Sequence, residues 1–236
     1  REPGLGAGLE LREDTVELLD LNGKRLEQRS LYKIVQSKPD VLQIQDVRPN
    51  QGHGVHFVDL IHANSVEFLE QPANAEPNKL FAPGNVLVSM RHQDAVIIFH
   101  WETGELIWSW GRGEIYGPHD ATVLDNGHLL IFDNGLGRGW SRVVEVDPNS
   151  GQIVWQYRGT PPESFYSASR GSNQRLPNGN TLIAQSDAAR AFEITPDGKP
   201  VWVWVNPARN EKGQSITIVR IKRLPVSFVE AFLSGQ

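Results

Sequence analysis

No cysteine occurs among the 236 residues. Disulfides, thiolate nucleophiles and thiolate metal sites are therefore excluded. The compartment stays open, because cysteine-free chains occur in reducing and oxidising spaces alike. No apolar run reaches the ~18 residues that a spanning helix needs. Long basic runs are also missing, and the net charge is -5. Such a balance argues against a nucleic-acid or anionic-membrane partner. No signal peptide is visible, and the chain opens on Arg1. A processed or trimmed product is the expectation, released from a membrane-anchored precursor. Serine-hydrolase, phosphate-loop, zinc-protease and zinc-finger spacings are all lacking. Gly135-Leu136-Gly137-Arg138-Gly139 is not a dinucleotide fingerprint, since no helix follows it.

What the chain does have is repetition. Thr103-Gly104-Glu105-Leu106-Ile107-Trp108 is echoed by Ser150-Gly151-Gln152-Ile153-Val154-Trp155 and by Asp197-Gly198-Lys199-Pro200-Val201-Trp202. Trp108, Trp155 and Trp202 are separated by two equal steps of 47 residues. That is the period of a four-stranded propeller blade. Glycine (22), proline (15) and tryptophan (7) suit many short strands joined by tight turns. The expected class is all-β, a β-propeller of four to six four-stranded blades, either cut down from a larger ring or completed by a second fragment. A β-sandwich is the alternative, and the equal tryptophan spacing weighs against it. The repeated tryptophans are expected to pack between blades.

The expected organisation is a loose lead-in over 1–14, a propeller over 15–225 and a tail over 226–236. Asn22-Gly23 predicts a hairpin over Thr15 to Leu31. A short helix follows before Pro39. Three full repeats begin near His62, His119 and Asn173. Ser215 to Ile221 reads as a further strand that completes a composite fourth blade with the opening hairpin. Val226, Val229, Phe232 and Leu233 share a face at helical spacing, so the tail reads as a short helix.

Equivalent positions in the repeats carry unlike polar residues. His62-Ala63-Asn64, Pro118-His119-Asp120 and Arg170-Gly171-Ser172-Asn173 lead into the inner strands. Arg91, Asn134 and Ser186 each follow a turn glycine (Gly84, Gly127, Gly179) by seven residues. Varied polar groups around one axis suit an asymmetric ligand. An imidazole can accept a group or move a proton near neutral pH. Arginine offers a planar fork for an oxyanion, and Asn64 adds a neutral donor. His62, His119, Arg91 and Asn64 form the expected reactive set, with Asn134, Asn173 and Arg170 as further substrate contacts. Anion binding without chemistry would use the same groups. A metal between His62 and His119 with Asp120 or Asp59 is conceivable, but no ligand spacing supports it. No metal or cofactor is assigned. His53 and His56 read as loop residues, and His92, His100 and His128 as surface or packing residues.

The chain resembles the arylsulfotransferase family of bacterial β-propeller proteins. The resemblance covers roughly residues 55–225 in short phrases: HANSVEFL at 62–69, GPHDATVLDNGHLLIFDNG at 117–135, RVVEVDPNSGQIVWQY at 142–157, NQRLPNGNTLIAQSDAARAFEITPDG at 173–198 and TIVRIKRLP at 217–225. It implies a six-bladed periplasmic or extracellular propeller. It also implies transfer of a sulfuryl group from an aryl sulfate to a phenol through a transiently sulfated histidine. By motif, His119 would be the nucleophile, and His62, Asn64 and Arg91 would bind the sulfuryl oxygens. The chain departs from the pattern in two ways, and the first is that it is short for six blades. A further family histidine sits in an earlier blade, and no matching motif precedes residue 50. The alternative expectation is a non-catalytic propeller that binds an anionic ligand or a protein partner.

Overall fold

The computed structural model describes residues 10–46 and 57–234. His53 and His56 lie outside the described residues. The chain begins with β1 (Glu10–Leu11), β2 (Thr15–Leu19), β3 (Arg25–Ser30) and α1 (Leu31–Gln36), followed by β4 (Phe57–Val58). The expected hairpin is present: β2 pairs antiparallel with β3 from Thr15↔Ser30 to Leu19↔Arg25. Its turn is closed by Asp20, whose Oδ1 accepts from the backbone N–H groups of Asn22 and Lys24 at 2.9 Å each. Gly23 supplies the φ of +80° that the turn requires. Ser30 caps α1 by accepting from the Lys33 N–H.

Three four-stranded antiparallel meanders follow, each with neighbours in chain order. The first contains β5 (Ala63–Phe68), β6 (Asn85–Met90), β7 (Ala95–His100) and β8 (Leu106–Trp110). The second contains β9 (His119–Val123), β10 (Leu129–Asp133), β11 (Arg142–Asp147) and β12 (Gln152–Arg158). The third contains β13 (Ser172–Arg175), β14 (Thr181–Gln185), β15 (Arg190–Ile194) and β16 (Pro200–Val205). Central strands β6, β10 and β14 are buried along their whole length. They are covered on both faces, so their sequences run apolar instead of alternating.

The sheets stack as propeller blades, with innermost strands side by side. Ala121 N–H of β9 donates to Ser89 Oγ of β6, and Asn173 N–H of β13 donates to Asp120 Oδ2 of β9. Two apolar cores lie between the blades. One joins Leu87, Val96 and Ile98 to Ala121, Leu129 and Val144. The other joins Leu130, Phe132 and Val143 to Ile183 and Phe192. Outer-strand tryptophans stitch these contacts. Trp110 Nε1–H donates to Gly151 O at 2.9 Å, and Trp155 Nε1–H donates to Pro196 O at 2.8 Å. The structural role expected for the repeated tryptophans holds at Trp108, which packs against the core between the first two blades, and at Trp155. Trp202, its counterpart in the third blade, is exposed instead.

The composite fourth blade does not form. The free flank of the first blade is covered by α1, with Leu31, Ile34 and Val35 against Val86, Val88, Ile97 and Phe99. The hairpin β2–β3 stays a separate two-stranded sheet. Over 215–221 there is only one bridge, Arg209↔Ser215. The reason is that this segment meets side chains of β13, not its backbone edge. Ile221 N–H donates to Ser172 Oγ, and Arg223 N–H donates to Gln174 Oε1. The tail forms the expected helix, α2 (Val226–Ser234).

Candidate active site

Residues leading into the first two inner strands meet at one end of the blades. His62, Asn64, Arg91 and His119 line one cavity of about 630 Å³. Arg170 and Arg220 complete its charged wall. The structure thus brings together five of the seven residues singled out from the sequence. Asn134 and Asn173, the other two, are fully buried behind the wall. Asn173 Nδ2–H donates to Asp120 O at 3.1 Å.

His119 is buried at the start of β9. Its Nδ1 lies 2.8 Å from Asn134 Oδ1 and 3.1 Å from Gly117 O. Both are oxygen acceptors, so Nδ1 carries the proton and Nε2 carries the lone pair. No protein group among the described residues bonds to Nε2. Burial pushes the pKa of His119 down to about 4, and Arg91 and His62 push in the same direction. The imidazole is neutral at physiological pH, the form that can attack an electrophile.

His62 stands at the start of β5 with φ of +51°, and Asp120 in β9 has φ of +48°. A left-handed conformation is uncommon outside glycine and costs of order 1–3 kcal/mol. Two inner-strand ends therefore hold strained backbone beside one cavity. His62 Nδ1 lies 2.7 Å from Asp59 Oδ2. Burial pushes the Asp59 carboxyl up, but the hydrogen bond and charge of His62 outweigh it, and the group titrates below its ordinary range. Asp59 is therefore an ionised acceptor for Nδ1–H, which leaves His62 Nε2 for the cavity.

Arg91 is held by His92. Arg91 Nη1 lies 2.7 Å from His92 Nε2. A guanidinium can only donate, so His92 Nε2 accepts and Nδ1 bears the proton. That proton goes to Asp59 O at 2.6 Å. Burial lowers the His92 pKa to about 4. His92 also lies under His62, with ring centroids 4.5 Å apart. Asp59 is thus a hub: its carboxylate orients His62, and its backbone carbonyl orients the histidine that holds Arg91. Ligand atoms of Asp59, His62 and His92 lie within 4.8 Å of one another. Both nitrogens of His92 are already engaged, so a cation there would have to displace Arg91 or the Asp59 carbonyl.

Asn64 donates through Nδ2 to Pro118 O at 2.9 Å. One of its two amide protons is therefore spent on the loop ahead of His119. Arg220 pairs with Asp120 Oδ1. The sequence alone reads His92 as a surface or packing residue and Asp59 only as a metal partner. Asp59 stands three residues ahead of His62, and His92 adjoins Arg91. Arg220 lies within the family-like phrase at 217–225. These placements were the available signals.

Solved structures with a related shape include a protein of unknown function from Bacteroides caccae, 14% identical, with 84% of this chain and 59% of that one covered at a TM-score of 0.49. The Dos1 propeller is 12% identical, covering 83% of this chain and 43% of that one at a TM-score of 0.47. Virginiamycin B lyase from Staphylococcus aureus is 9% identical, covering 87% and 57% at a TM-score of 0.46. The chain spans 43% to 59% of the length of these three structures. Likenesses of this degree carry no functional weight. No curated protein matches the chain. The model of the arylsulfotransferase (ASST) family matches residues 10–207, and the chain belongs to that family.

Proposed function

We propose that the cavity transfers a sulfuryl group from an aryl sulfate to a phenolic acceptor through a sulfated His119. The observation that carries this reading is the placement of His119. Its Nδ1–H is fixed by Asn134, which leaves Nε2 as its reactive nitrogen, and the residue lines a cavity shared with Arg91 and His62. In the first half-reaction, the Nε2 lone pair attacks sulfur and an N–S bond forms. The bond from sulfur to the aryl oxygen breaks, and its electron pair leaves with that oxygen. His62, held by Asp59, acts as general acid and gives its Nε2 proton to the departing oxygen. In the second half-reaction, a phenol passes its proton to His62 and its oxygen attacks sulfur. The N–S bond breaks and its pair returns to His119. Arg91 and the remaining amide proton of Asn64 neutralise the sulfuryl oxygens where charge develops. The left-handed backbone at His62 and Asp120 fits a site in which position outranks local comfort. The same reading carries the periplasmic or extracellular location that the family resemblance implies.

The test mixes the protein with a chromogenic aryl sulfate and phenol. Turnover with ping-pong kinetics, a mass gain of one sulfuryl group on the chain, and loss of both in His119→Ala are expected. Folded protein with neither turnover nor mass gain across several donors would refute the reading.

A second reading rests on the open flank of the third blade. Trp202 and Trp204 of β16 are both exposed at 38%, where Trp155 in the second blade is covered by its neighbour. This flank fits a further blade or protein partner. Lack of catalysis together with stable association through that flank would favour it.

A further inference from the structure

The cavity holds more positive charge than an aryl sulfate monoester can use. Among the described residues three guanidinium groups line it: Arg91, Arg170 and Arg220. Among the described residues the one carboxylate in the lining is Asp120, and it is committed, with Oδ1 on Arg220 and Oδ2 on the Asn173 N–H at 2.9 Å. Arg91 is assigned to the sulfuryl group. That leaves Arg170. Among the described residues it makes no salt bridge, and its side chain bonds only to Thr217 Oγ1 at 3.4 Å.

The backbone of Arg170 is nevertheless fixed with care. Its carbonyl accepts from Asn134 Nδ2 at 2.9 Å and from Ser167 Oγ at 2.6 Å. Asn134 is the residue that orients His119. One buried amide therefore ties the nucleophile and the third arginine together. On the next residue, Gly171, a side chain has no room: a Cβ would come within 2.3 Å of the Phe132 ring. The loop is packed down against the second blade, and Arg170 is anchored beside the cavity mouth. Gly171 and Val219 are the small and apolar parts of the same wall.

We propose that Arg170 is a specificity-determining residue that selects aryl compounds bearing a second anionic group, such as a ring carboxylate, away from the sulfate ester. The word substrate rests on the sulfuryl-transfer reading. The anion subsite itself rests only on the cavity. A planar fork suits a carboxylate, and an exposed pair of this kind is worth up to about fivefold in affinity.

The experiment compares 4-sulfooxybenzoate with its methyl ester, by calorimetric binding to the full chain. The wild type is expected to bind the carboxylate about fivefold tighter than the ester. Arg170→Gln should remove that preference, bringing the carboxylate-to-ester affinity ratio to about one. Arg170→Lys should keep part of it. The side chain is exposed, so these variants should fold, which circular dichroism checks. Equal binding of the two compounds by wild type, no binding of either, or a preference that survives in Arg170→Gln would each overturn the proposal. Binding preference without sulfuryl transfer would sink the catalytic reading alone. Transfer without preference would sink the Arg170 subsite alone.

Discussion

The amide oxygen of Asn134 lies 2.8 Å from Nδ1 of His119, and its direction is forced. Asn134 Nδ2 donates to two carbonyls, Ser167 O at 2.6 Å and Arg170 O at 2.9 Å. Both amide protons are spent there, so only the oxygen can face the imidazole. The tautomer of His119 is therefore set from two sides, by the Gly117 carbonyl of its own lead-in and by an amide that the loop before the third blade holds in place. Asn134→Ala should lower kcat, by up to about a hundredfold, since the ring is then held at Nδ1 by the Gly117 carbonyl alone and is less firmly aimed. Stability should fall by about 1–3 kcal/mol, because two buried carbonyls each lose a donor. Steady-state kinetics and urea unfolding check the two effects separately. An Asn134→Ala enzyme with unchanged kcat would remove the orienting role.

Stability should fall as pH drops from about 6.5 to about 4. His92 and His119 are both held near pKa 4 by burial, below the usual 6.5 of the unfolded chain. In that window the unfolded state binds more protons than the folded one, so acid favours unfolding. Above the window neither state is charged and the effect vanishes. Together the two groups amount to a few kcal/mol. Asp14 and Glu67 run the other way, since burial raises both carboxyl groups. Urea midpoints at pH 7.5, 5.5 and 4.5 measure the slope, and His92→Gln should flatten it. Activity limited by His119 should also survive to lower pH than an ordinary histidine permits.

Asp59 and His92 should be separable by kinetics. Asp59→Asn keeps the backbone carbonyl that holds His92, so Arg91 stays in place. What it loses is the ionised partner of His62. The expected loss is in kcat, on the order of a hundredfold for donors with poor, basic leaving groups and little for nitrophenyl sulfate. His92→Phe does the reverse. It removes the acceptor for Arg91 Nη1, so KM for every aryl sulfate should rise whatever the leaving group. Rescue by His92→Gln, whose amide offers both an acceptor and a donor, would distinguish positioning from packing. If both variants fail alike on all donors, the division of labour at Asp59 is wrong.

The blade grammar was legible because it is local. Turn residues at fixed offsets and tryptophans at equal steps reflect backbone needs that repeat in every blade. His62, Arg91 and His119 were legible as well, because they stand where one repeat differs from the next. Arg170 was legible for the same reason. The rest depends on contacts between blades. Asn134 looked like a ligand contact, and only the placement of Ser167 and Arg170 makes it a buried orienting group. His92 looked like packing, and only its place between Arg91 and Asp59 gives it a role. The expected strand over 215–221 failed because its partners are the side chains of Ser172 and Gln174, which no periodicity reveals.

Gly171 tests the link between the loop and the nucleophile without removing any polar group. An added Cβ would sit 2.3 to 2.5 Å from three atoms of the Phe132 ring. Phe132 is fully buried and stacked edge-on against Phe165 at 5.6 Å, so the ring has little room to retreat. Gly171→Ala should therefore displace the loop, not the core. The Arg170 carbonyl would move off Asn134 Nδ2, and the Asn134 oxygen would lose its fixed aim at His119. Overpacking of this kind costs about 1–3 kcal/mol. A fall in kcat is expected with it, although no catalytic group has changed. Phe132→Leu opens space at the point of contact and should restore part of kcat in the double variant, even though alone it destabilises the core. That sign is the discriminating result: a positive coupling in kcat between Gly171→Ala and Phe132→Leu means that the loop positions His119. Simple additivity of the two losses would mean that the loop and the nucleophile are independent.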